Sequence, residues 1–257
     1  MTGTAAASAP ARASFGGVLL SEWRKAASLR STWWLGASSI VVAVLVTAGW
    51  AATSTEATER SVFDAVDTGF FFGAVFLILL GSVISTADFE NNALSVFIAA
   101  VPRRTPIVLA KVTLTAILAL VVVTVSTFSA FAVAVGIHGG GAAITDPDAS
   151  RILAEGIVFG VCSAVVATSI GLVMRSTIAT VGVVFAFFYV VPGLIGLVPL
   201  DGFRLVSSTF PGNAAINVFS VSEDPTRLDP LSSMIATVLW TIAWVAFAAL
   251  WVKRRNA

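Results

Sequence analysis

The chain has 257 residues, is 57% apolar and only 11% charged, and its mean hydropathy of +0.95 lies far outside the range of a domain that must cover itself with polar surface. A formal net charge of +1 offers no overall field for a nucleic-acid partner, and one cysteine, Cys162, excludes an internal disulfide and a cysteine-rich metal site. These figures specify an integral membrane protein.

Charge is withheld in blocks. No Asp, Glu, Lys or Arg occurs in 31–55, 68–87, 112–145, 156–174, 176–200 or 230–252. Each block can hold the roughly 20 apolar residues that cross a hydrocarbon core about 30 Å thick. The runs are continuously apolar rather than alternating, which selects helices over barrel strands. The expected fold is an all-α integral membrane protein with six transmembrane helices at about 33–52, 68–87, 107–137, 152–174, 178–198 and 231–252, forming one domain over 14–257.

In chain order, residues 1–13 lack the apolar core of a signal peptide and are expected to be a disordered tail. Residues 14–32, "SFGGVLLSEWRKAASLRST", place Phe15, Val18, Leu19, Trp23 and Ala26 near helical spacing, with Arg24, Lys25 and Arg30 projecting elsewhere. They read either as an interfacial helix with its cations on anionic lipid or as a basic stop before the first span. A short acidic loop with Glu56, Glu59, Asp64 and Asp67 leads to the second span. In the next connection Leu94, Phe97, Ile98 and Val101 fall at i, i+3, i+4 and i+7, with Asp88 and Glu90 before them and Pro102, Arg103 and Arg104 after. That pattern describes a short amphipathic helix, either a leaflet-bound linker or a docking element for a partner.

The third apolar run is long enough to require tilt or protrusion, and Pro106 suits its first turn. "MRSTIAT" reads as a tight turn into the fifth span, whose Pro192, Gly193, Gly196 and Pro199 predict a kink or break at its far end. Residues 203–219 are apolar enough to dip back into the membrane, and Trp251 followed by "KRRNA" forms an aromatic and basic stop. With both termini on one side, that side holds 11 of the 15 basic residues and the opposite side 11 of the 14 acidic ones. The positive-inside rule makes the basic side cytosolic.

Catalytic chemistry finds little material. The only lysines, Lys25, Lys111 and Lys253, stand outside any Gly-x-x-x-x-Gly-Lys-Ser/Thr context, so no nucleotide cradle of that kind is present. His138 is the one histidine and falls in a glycine-rich stretch, which gives neither an intramembrane nucleophile pair nor a metal set. The apolar blocks carry no carboxylate of the kind a proton-coupled carrier keeps at membrane depth, Glu155 lying just outside the fourth. Serine and threonine within the runs serve helix packing by default.

Five features in register carry a resemblance: "SEWRKAASLRSTWW" (21–34), "DFENNALSVFIAAVPRR" (88–104) with Lys111 after it, "MRSTIATVGVVFAFFYVVPGLIGLVP" (174–199), "FPGNAA" (210–215) and the terminal "KRRNA". Together they resemble the permease subunits of ABC-2 type ABC transporters, particularly the actinobacterial kind. The resemblance implies a permease in the plasma membrane with both termini cytosolic, paired with a second permease copy and two copies of a separate ABC ATPase. It implies export of a hydrophobic or amphipathic small molecule, no cofactor and no ATP hydrolysis on this chain. It also implies that Phe89, Glu90, Asn91, Leu94 and Phe97, with Arg103 and Arg104 at the exit, form a coupling helix for the ATPase. Similar chains often carry Gly-Thr where this one has Asn92 and Ala93. The alternative from another class is an ATPase-independent membrane scaffold or immunity protein.

Overall fold

The computed structural model describes residues 14–54, 58–90, 105–138, 147–219 and 228–254. All regular elements among them are helices: α1 (Phe15–Ser28), α2 (Arg30–Thr53), α3 (Glu59–Glu90), α4 (Thr105–His138), α5 (Pro147–Met174), α6 (Thr177–Phe185), α7 (Val191–Gly196), α8 (Asp201–Ser208), α9 (Pro211–Phe219) and α10 (Pro230–Arg254). A π-helical turn, Ala186–Val190, joins α6 to α7. Among the described residues six helices are long and apolar enough to cross a membrane, with α6, the π-turn and α7 counting as one.

The helices outrun the charge-free blocks. α3 starts at Glu59, so Glu59, Asp64 and Asp67, expected in a loop, lie within the helix. The helix also continues unbroken to Glu90, which puts Asp88 in the last turn of α3 and not at the start of a separate short helix. His138 closes α4 rather than standing in the following loop. α4 has 34 residues, about 51 Å at about 1.5 Å per residue, well beyond a hydrocarbon core of about 30 Å. Charged residues are tolerated in such end turns because they extend past the apolar slab or find partners.

α1 is a helix in its own right. The Ser14 hydroxyl accepts from the Gly17 N–H at 3.2 Å as its N-cap, and Leu29, extended at φ −81°, breaks the chain before α2. Its Trp23 is exposed with Phe15 and Leu20, as an interfacial helix requires, but Lys25 turns inward instead of toward lipid head groups.

α5 and α3 form the centre of the bundle: 78% of the apolar window of α5 is buried, against 11% for α10 at the periphery. Close helix contact comes from small residues. α2 buries Gly36, Ser39, Ala43, Thr47 and Ala51 toward its neighbours, and the Ser39 hydroxyl donates to the Gly73 carbonyl of α3 at 3.0 Å. Gly81 of α3 lies directly against the Ala164 carbonyl of α5, where no other residue fits. Next to it the Thr168 hydroxyl reaches the Gly81 carbonyl at 3.2 Å and the Thr115 hydroxyl of α4 at 3.0 Å, joining three helices at mid-bundle.

The break expected in the fifth span falls at Pro192. The proline cannot donate to the carbonyl four residues back, and the helix widens into the π-turn just before it. α8 and α9 fill the space this opens. The Ser207 hydroxyl donates to the Pro192 carbonyl at 2.8 Å, and the Asn213 amide donates to Ser207 Oγ at 2.8 Å. Gly212 of "FPGNAA" sits against the Phe188 carbonyl so closely that a Cβ would collide with it. Phe210 completes the seat, its ring 5.5 Å from Phe187 and 5.1 Å from Trp240 of α10.

Candidate functional site

The end of the bundle that carries α1 holds an ionic cluster built from three helices. Lys111 Nζ lies 2.8 Å from Glu22 Oε2 and 2.9 Å from Asp88 Oδ2, and donates to the Ile84 carbonyl at 3.1 Å. Lys25 Nζ lies 2.7 Å from Glu22 Oε1 and 3.3 Å from Asp88 Oδ1. Each ammonium thus meets both carboxylates: Glu22 gives one oxygen to each lysine, and Asp88 gives Oδ2 to Lys111 and both oxygens to Lys25, the second at 3.5 Å. The result, among the described residues, is a neutral ring of four charges.

Burial makes this arrangement consequential. The Lys111 and Glu22 side chains are 4% and 5% exposed, so removing either partner would strand a charge away from water. Lys111 has three N–H donors and all three are used. Burial of Lys25 works against its charge, but the hydrogen bond and field of Glu22, with those of Asp88, outweigh it and raise its pKa above the usual lysine value. Asp88 stands at the C-terminal, negative end of α3, where a carboxylate is unfavourable by itself. The two lysines supply the compensation.

The ring marks the roots of the 91–104 connection. Asp88 lies two residues before α3 ends, Lys111 six residues after α4 begins, and Glu22 and Lys25 tie both to α1. A second tie joins the end of α3 to the turn between α5 and α6. The Arg175 guanidinium sits 5.2 Å from the centre of the Phe89 ring, and the hydroxyls of Thr86 and Thr177 are paired. Arg175 takes a left-handed backbone, φ 59°, and Ser176 then caps α6. Four helices and one turn therefore meet within the last two turns of α3.

Of the residues expected to couple to an ATPase, Phe89 lies in the last turn of α3 against Arg175, and Glu90 ends that helix. Asn91, Leu94, Phe97, Arg103 and Arg104 lie outside the described residues. Glu22 escaped the sequence reading as a site residue. Its signals were its standing as the only carboxylate before residue 56, in i, i+3 register with Lys25, and a lone Lys111 inside an apolar run. No carboxylate reading from one helix could have paired residues 22, 88 and 111.

No curated protein matches the chain. Residues 18–193, from inside α1 through the π-turn and into α7, match the family described as ABC-2 family transporter protein. The match takes in the whole ionic ring, four of the six spans found among the described residues and most of the fifth, and the chain belongs to the ABC-2 transporter family, whose permeases are multi-pass membrane components that associate with an ABC ATPase.

Proposed function

We infer that this chain is the permease subunit of an ABC exporter for a hydrophobic or amphipathic small molecule, driven by ATP hydrolysis on a separate subunit. Residues 14–257 act as one permease domain in the plasma membrane, with the α1 end and both termini in the cytosol. Two permease copies, identical or different, work with two ATPase copies. Phe89, Glu90, Asn91, Leu94 and Phe97, with Arg103 and Arg104, contact the ATPase.

The observation that carries this reading is the neutral ring of Glu22, Lys25, Asp88 and Lys111, in a chain of this family. A force applied by an ATPase to the 91–104 connection reaches the bundle through the ends of α3 and α4. The ring makes those two ends and α1 move together, while Phe89 and Thr86 carry the displacement to the turn before α6.

The test is recovery and stimulation. The intact protein, solubilised from membranes, is expected to bring down an ABC ATPase, and co-reconstitution is expected to raise that ATPase's hydrolysis. The doubly reversed variant Glu90→Arg with Arg103→Glu should insert normally yet lose the stimulation. Absence of any ATPase, together with no stimulation by candidate ATPases, would falsify the reading.

A further inference from the structure

At the end opposite α1, a cavity of about 180 Å³ opens between α3, α5, the π-turn and α9. Phe70, Phe71, Phe159 and Tyr189 line it, Gly212 forms part of its wall, and among the described residues one carboxylate, Asp67, borders it. Phe71 stacks edge to face with Tyr189 at 5.5 Å and Phe70 with Phe159 at 5.9 Å, so the aromatic lining is a packed set rather than four loose side chains. Asp67 is half-buried, and among the described residues no hydrogen bond or ion pair engages its carboxylate. Asp64 stands one turn earlier on α3 and adds to the negative field there. The contrast with the other end is direct: every buried carboxylate of the ionic ring is matched by cations, and this one borders empty space.

We propose that this cavity binds the substituted ammonium group of an amphipathic molecule, with the aromatic rings around the alkylated nitrogen and Asp67 as its counter-ion. A cation over aromatic faces is stabilised by the ring quadrupole, and the attraction grows when water is excluded. A carboxylate beside those rings selects a cation over a neutral group of the same shape. A cavity of about 150 Å³ accepts a benzene ring, so this one suits a trimethylammonium-sized head, while a whole drug-sized ligand needs about 300 Å³ or more. The rest of the molecule leaves past Phe71, which is 42% exposed at the rim. As the substrate class of an exporter this rests on the proposed function, whereas the binding itself is measured without any ATPase.

Tyr189 is the only tyrosine in the chain, so fluorotyrosine incorporation places a single fluorine reporter on the cavity wall. The full chain in phosphatidylglycerol nanodiscs is titrated with choline and, separately, with dimethylbutanol, its neutral carbon isostere. Choline should shift the one fluorine resonance saturably, and the alcohol should bind about tenfold more weakly or not at all. Asp67→Asn should weaken choline about tenfold and leave the alcohol unchanged. Phe71→Leu, which keeps apolar volume but removes a ring, should weaken choline several-fold and covers the case in which the Asp67 variant does not fold. In phosphatidylcholine discs a resonance already at the shifted position identifies a lipid head group as occupant. An unshifted resonance that still responds to choline identifies a free organic cation. No saturable shift, equal shifts by both probes, or an undiminished choline response in the variants overturns the proposal. Loss of ATPase stimulation alone does not touch it, and failure of choline binding leaves the ATPase coupling standing.

Discussion

At the α1 end Glu22 and Asp88 each meet two lysines, whereas at the far end Asp67 meets none among the described residues and borders a cavity instead. The first arrangement balances its charges among the described residues and joins α1, α3 and α4. The second is held by ring packing and by hydrogen bonds among Ser207, Asn213 and Pro192, with its charge left over. The same helix, α3, contributes a carboxylate to both. α3 thus runs between an end where its carboxylate is matched by lysines and an end where its carboxylate borders a cavity.

The difference can be broken most sharply at Lys111. Lys111→Met leaves Glu22 and Asp88 with a single, more exposed lysine, and should cost about 3–5 kcal/mol of stability. Unfolding of the purified protein in detergent measures it, and adding Glu22→Gln to that background should cost much less than its effect alone, because the stranded charge is then removed. An additive double variant would mean that the ring does not act as a unit.

The far end should break by packing rather than by charge. Gly212→Ala drives a methyl group into the Phe188 carbonyl and should cost about 1–3 kcal/mol. The loss should be accompanied by changed near-ultraviolet signals from the Phe187, Phe210 and Trp240 cluster, with no change in the ionic ring. If the two ends unfold together in this variant, they are less independent than their chemistry suggests.

Thr168→Val, between the two ends, should have the smallest effect. It removes hydroxyl bonds to Gly81 and Thr115 while preserving shape, and such bonds within membranes average about 0.6 kcal/mol. A loss larger than about 1.7 kcal/mol, the upper value for single bonds of this kind, would place the rigid part of the bundle at its middle instead of at α1.

Much of the fold was legible in the sequence because lipid demands long apolar helices, and the charge-free blocks report them without ambiguity. The ends of the helices were not. Asp64 and Asp67 look like loop residues to a reading that equates charge with water, and Asp88 like the start of a separate short helix, yet α3 runs through all three from Glu59 to Glu90. Pro192 announced the break in the fifth span, since a missing N–H acts locally. Lys25 looks lipid-facing in the sequence because its partner besides Glu22, Asp88 of α3, lies far away in the chain. The cavity follows the same logic: Phe71, Phe159 and Tyr189 each look like ordinary apolar filling, and only the packing of α3, α5, the π-turn and α9 together brings them around one space with Asp67.

The closed pattern of the ionic ring bears on how α1 can move. Since each ammonium touches both carboxylates and each carboxylate both ammoniums, stretching any single contact leaves every charge with a partner. A pair with one contact must break outright before its helices slide. Two of the four contacts cross from α1 to its neighbours, Lys25 to Asp88 and Glu22 to Lys111, while Glu22 with Lys25 stays within α1 and Lys111 with Asp88 joins α4 to α3, so α1 can part from the bundle one contact at a time without stranding a charge.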